Sequence, residues 1–195
     1  MMANDRHSTS LPAGGPVRCV AIAAFGCVVA AAPLAAAGFE VDLALASQTY
    51  KAVQRDRSVE GNPLAIGGKR YATGLGAHAV SEIPVPVPAG AARLTGAVGV
   101  DDGAGPGRGS VKFRILSGNA ILWESPVLKG GDPAVAFEVA APSTRHRNLY
   151  LQADKVDDDS YDHADWVDLQ WHAGDVPAAK PARTLRGAEF GIAPG

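Results

Sequence analysis

Residues 157–171 read DDDSYDHADWVDLQW, and their first nine positions hold five carboxylates and a histidine: Asp157, Asp158, Asp159, Asp162, His163 and Asp165. An ionised carboxylate only accepts hydrogen bonds, so such a cluster must meet a cation, a set of donors such as sugar hydroxyls, or water. Charge runs of this kind are usually solvent-facing. Tyr161 and Trp166 are interleaved with the acids, and an aromatic face beside directional acceptors is the mixed lining that a sugar ring needs. Asp101, Asp102 and His78 stand at the ends of strand-like segments elsewhere in the chain, and the loops at one end of a sandwich converge from distant parts of a sequence. These residue types leave alternatives open. Trp166 either covers a sugar or packs in a core, as buried tryptophans of sandwiches do; Asp101 and Asp102 either bind or cap a turn. His78 and His163 would suit a transition metal, but the short His/Cys spacing of a zinc site is absent.

Alternation supplies the elements that would hold these groups. In SVKFRIL, Val111, Phe113 and Ile115 point one way and Lys112 and Arg114 the other, as in a half-buried strand. Residues 93–100, 120–123, 135–139, 148–156 and 167–171 read as further strands, and 39–45 starts with an alternation that reads as a first strand. Leu64, Ala65 and Ile66 precede Gly67 and Gly68, a short strand and tight turn. Pro84, Pro86 and Pro88 alternate with apolar residues, which confines that segment to an edge. Gly74 and Gly76 inside a strand pattern suggest a bulge or a close backbone approach. Trp123 and Trp171 are assigned to packing. The pattern predicts an all-β protein, a jelly-roll β-sandwich of about eight or nine strands with no sustained helical periodicity.

With 195 residues and a formal net charge of -2, the chain is sized for one domain and has no basic footprint for nucleic acid or an anionic membrane. Both cysteines, Cys19 and Cys27, lie in an apolar run at 19–37 that follows Arg18 and ends in Ala35-x-Ala37. That layout predicts a signal peptide and a secreted or periplasmic chain starting near Gly38; a membrane is a partner only if the segment stays uncleaved. The expected organisation is a polar tail and signal at 1–37, a sandwich at 38–171, and a Pro/Ala-rich linker or stub at 172–195.

Six segments in order resemble the carbohydrate-binding modules called NPCBM: DRSVEGNPLAIGG, YATGLGAHAVSEI, GVDD, GSVKF, LWES and DHADW. The resemblance covers most of the chain after residue 39 and implies a galactose-binding-like sandwich, found on secreted bacterial glycoside hydrolases such as α-galactosidase-like enzymes. Tyr50 departs from it, standing where many members carry tryptophan. What it implies is a monomeric, non-catalytic module for galactose-type glycans, with His78, Asp101, Asp102, Asp162, His163, Asp165 and Trp166 as the binding residues. It also implies one structural calcium, held largely by backbone carbonyls, and no organic cofactor. Residues 185–195 resemble the opening of an immunoglobulin-like segment that follows such modules, which implies an N-terminal fragment of a hydrolase. Two other readings stand beside the module: a glycosidase using Asp101 and Asp165 as acid and base, and an adhesion domain with no sugar ligand.

Overall fold

The computed structural model describes residues 39–142 and 148–174, and the backbone of 183–184. The apolar run at 19–37, both cysteines and the segment 185–195 lie outside the described residues. Thirteen strands are present among those described: β1 (Ser47–Gln48), β2 (Gln54–Arg55), β3 (Ala65–Ile66), β4 (Lys69–Arg70), β5 (Gly74–His78), β6 (Ser81–Pro86), β7 (Ala91–Val100), β8 (Val111–Ser117), β9 (Ala120–Leu128), β10 (Val135–Ala140), β11 (Asn148–Lys155), β12 (His163–Ala173) and β13 (Arg183–Thr184). Eight of them run for five residues or more, against about eight or nine expected; the other five are two-residue pairings, of which β3 was read from the sequence as a short strand.

All pairings are antiparallel. One sheet has the order β1-β6-β11-β8-β9-β13, the other β10-β7-β12-β5-β2, and β3 and β4 form a separate hairpin. The two sheets face each other across a core built from alternate positions: Ile83, Val85, Phe113, Ile115, Leu149 and Leu151 from the first, Leu75, Leu94, Val98, Ala164 and Trp166 from the second. On the opposite face of β8, Arg114 pairs with Asp154 and, at 2.7 Å, with Glu124.

β12 lies between β5 and β7, with Trp166 opposite Leu75 and Val98, and Asp165 opposite Gly76 and Gly99. Because side chains alternate across a strand, Ala164 and Trp166 enter the inter-sheet core while Val167 joins Leu64 and Ile66 on the outer face. That outer face is covered by the chain before and through the β3–β4 hairpin. A Cβ on Gly76 would lie 2.2 Å from the Arg57 carbonyl oxygen, and one on Gly99 2.3 Å from Ile66 Cγ2. The close backbone approach read from Gly76 is therefore present.

Two expectations change. The alternating segment 39–45 is not a strand: Leu43–Leu45 is a 3-10 turn capped by the Asp42 carboxylate, which accepts from the Ala44 N–H, and Leu45 is exposed. An aspartate that bonds to the backbone two residues on competes with a ladder. Part of the stretch read as a linker is joined to the sandwich, since β12 continues to Ala173 and β13 pairs with β9. The proline strand stands as read: β1 covers only Ser81 and Glu82 of β6, so Pro84 and Pro86 lie beyond its reach, with β11 as the one neighbour among the described residues.

Candidate functional site

The structure distributes the seven residues singled out by sequence over three places. Trp166 is 0% exposed. Its indole meets Phe113 edge-on at 5.3 Å and Phe137 at 6.0 Å between the two sheets, so it is a core residue and covers no sugar. The strand begins at His163, earlier than the alternation suggested, and this carries Ala164, Asp165 and Trp166 inside.

Asp101, Asp102 and Asp165 belong to the seam beneath the hairpin. Asp101 accepts from the Ala65 N–H through Oδ2 and from the Gly103 N–H through Oδ1, and so caps the 3-10 turn Asp102–Ala104. Asp102 accepts from the Gly68 N–H at 2.9 Å. Together they tie the hairpin to the end of β7. Asp165 is 0% exposed and neither of its oxygens has a hydrogen-bond partner. Burial first, and the neighbouring Asp101 carboxylate second, push its carboxyl well above the usual range, which favours the neutral acid. Asp101 and Asp165 are thus corrected as sugar ligands, and as an acid–base pair, because a glycosidic bond cannot reach either. Among the described residues no three acidic, histidine or cysteine side chains converge on a point.

The remaining three, Asp162, His78 and His163, do meet. His78 ends β5 and His163 opens β12, and the register places them opposite each other with ring centroids 5.8 Å apart. His78 Nδ1 lies 2.6 Å from the Ala79 carbonyl oxygen and its N–H donates to Gln48 Oε1. The Tyr50 ring sits 4.9 Å from His78 and is 42% exposed. Lys51 lies 5.0 Å over that ring and pairs with Glu60, whose other oxygen is 4.0 Å from His163 Nε2. Tyr50, Lys51 and Glu60 are residues that sequence reasoning missed. The signal for Tyr50 was its place at a position where many members of the family it resembles carry tryptophan.

Electrostatics sort the roles within this rim. Burial, followed by the charge of His78, holds His163 below its ordinary value, so the imidazole is neutral at neutral pH and can donate and accept. Asp162 lies beneath the rim; its Oδ1 accepts from the Ser110 N–H at 2.7 Å, and burial pushes its carboxyl up to about 6. Its carbonyl accepts from the Ala79 N–H, which ties the two loops together. The rim therefore offers an exposed aromatic ring and the paired Lys51 ammonium and Glu60 carboxylate, with the two imidazoles, 7% and 8% exposed, lying just beneath them. Hydrolysis of a glycosidic bond calls for two accessible carboxyl groups flanking it; binding a sugar does not.

The NPCBM/NEW2 domain pattern matches residues 39–172. The chain belongs to this family. Alpha-1,3-galactosidase B of Akkermansia muciniphila is 49% identical over 142 residues, 72% of this chain but only 18% of that enzyme. The second CBM51 module of Clostridium perfringens ZmpB, solved in complex with GlcNAc, superposes with a TM-score of 0.60 at 27% identity, covering 66% of this chain and 29% of that one. The CBM51 module of the Clostridium perfringens GH95 protein, solved with methyl-galactose, shares the fold with a TM-score of 0.61 at 24% identity, covering 67% of this chain and 94% of that one. The NPCBM domain is thus a carbohydrate-binding sandwich of the kind associated with glycoside hydrolases.

Proposed function

We propose that this NPCBM domain binds galactose-type sugars, without cleaving them, at the rim formed by Tyr50, His78, His163 and Glu60. The observation that carries the reading is the exposed Tyr50 ring leaning on the His78–His163 pair, with Glu60 and Lys51 as directional partners. An apolar ring face covers the C–H side of a sugar while the polar groups meet its hydroxyls. The galactosidase to which the chain is similar and the methyl-galactose bound by one structural relative support the choice of sugar. In this reading Asp162 positions the rim rather than touching ligand. The domain works as a monomer, because one chain supplies the whole rim, and it holds a secreted glycoside hydrolase against its glycan. Export follows from the apolar run at 19–37, and N-terminal sequencing of the exported chain should begin near Gly38.

Glycan-array binding of the domain, followed by calorimetric titration of Tyr50→Ala and His163→Ala, tests the proposal. Galactose-terminated glycans should be retained by the wild type, and both variants should lose affinity, Tyr50→Ala with unchanged melting. Binding untouched by both substitutions would place the sugar elsewhere.

A further inference from the structure

Beside Asp162, which accepts from the Ser110 N–H, the residues Gly107, Arg108, Ser110, Lys129, Asp157 and Tyr161 line a cleft of about 260 Å³. Tyr161 is 47% exposed, and the Arg108 guanidinium lies over one face of its ring at 4.5 Å. The backbone of Tyr161 is left-handed, with φ 64°, a conformation that bulky residues rarely adopt and that tends to mark functional positions. The wall opposite is built to admit it. Gly109 (φ 69°) approaches so closely that a Cβ there would lie 2.6 Å from the Tyr161 carbonyl oxygen. The loop carrying Arg108 is tied to the turn after β9 by Gly107 N–H to Gly130 O at 2.7 Å and Gly130 N–H to Arg108 O at 2.8 Å.

The polar groups of this cleft are only partly used. Among the described residues no ion pair engages Arg108 or Lys129. Asp157 accepts from the Ser110 hydroxyl at 3.3 Å, and Asp158 accepts from the Ser160 N–H at 2.7 Å, a bond that keeps its carboxyl below the usual range and hence ionised. Two cations and two carboxylates give matched donors and acceptors with no net charge, which suits a neutral sugar unit rather than an acidic one.

We infer that the cleft between Arg108 and Tyr161 is a second sugar subsite, contiguous with the Tyr50–His78–His163 rim across the buried Asp162, so that the domain reads an oligosaccharide rather than a single sugar. What supports contiguity is the chain: Tyr161 of the cleft and His163 of the rim flank Asp162, and the His163 N–H donates to the Tyr161 carbonyl at 2.8 Å, a tight turn that keeps the two close. The inference rests on the rim being the primary sugar site.

Titration calorimetry with methyl galactoside and with a galactose-terminated trisaccharide tests it on the wild type, Arg108→Ala, Tyr161→Asn and Tyr50→Ala. Asparagine tolerates the left-handed backbone, and melting curves confirm that each variant is folded. The wild type should bind the trisaccharide about tenfold or more tighter than the monosaccharide. Arg108→Ala and Tyr161→Asn should erase that margin while monosaccharide affinity stays within about twofold. If Tyr50→Ala abolishes binding but neither cleft variant changes the trisaccharide affinity, the second subsite is wrong and the rim stands. If the cleft variants abolish monosaccharide binding and Tyr50→Ala does not, the rim reading fails and the cleft is the primary site. Wild-type protein that binds neither probe overturns both.

Discussion

His78 and His163 face each other across the β5–β12 pairing, and this opposition of two imidazoles with ring centroids 5.8 Å apart sets how the rim responds to acid. His163 is held below 6.5 in the fold by burial and by His78, whereas the unfolded chain takes up its proton near 6.5. The folded state therefore binds fewer protons, and stability is lost as pH falls below that value. Sugar affinity should be flat at neutral pH and fall in acid, below 6.5, as the buried His163 ring takes up a proton. Calorimetry across pH reads this directly, and His163→Gln should flatten the profile.

Asp162 should act in the opposite sense. Its folded pKa of about 6 exceeds the ordinary 3.8, so the folded state holds the proton longer and stability declines as pH rises from 3.8 to about 6. Asp162→Asn keeps an acceptor for the Ser110 N–H and removes the ionisation. Denaturant melts should show the variant more stable than wild type above about pH 6 and indistinguishable in acid.

Asp165 acts in the same sense. Burial raises its carboxyl above the ordinary 3.8 in the fold, so it too lowers stability as pH rises from that value. Asp165→Asn should leave the melting temperature near neutral pH little lowered and should flatten the decline of stability with rising pH. A variant that loses its fold would instead show that a charge is required there.

Trp166→Ala and Tyr50→Ala should separate core from rim. Truncating the fully buried indole between Phe113 and Phe137 should cost about 3–5 kcal/mol of stability. Removing the exposed Tyr50 ring should lower sugar affinity by about tenfold and leave unfolding within about 0.5 kcal/mol of wild type. Denaturant melts and calorimetry on the two variants give all four values.

The sandwich was legible because its long strands bury one face: Val111, Phe113 and Ile115 against Lys112 and Arg114 leave little choice of orientation. The site was half legible. His78 and His163 were readable as polar residues at strand ends, yet Asp162, Asp165 and Trp166 carry the same letters whether a loop exposes them or a strand encloses them. Asp165 lies on an outer sheet face that becomes interior only because the hairpin packs over Gly76 and Gly99. Glycine signals a close approach, but not which distant segment makes it. Glu60 and Lys51 reach the rim from a turn-rich connection whose letters resemble any solvated loop.

Pro84 and Pro86 have a consequence for how copies of the domain behave when crowded. Beyond Glu82, β6 has no strand on its outer side among the described residues, and an unpaired strand edge is a template on which another chain can add itself. Proline has no N–H to offer, so a second copy laid along this margin would find two of its carbonyls without donors. Addition of a second copy along this margin is thereby hindered, and replacing both prolines with valine should lower the solubility of the module before it lowers its stability.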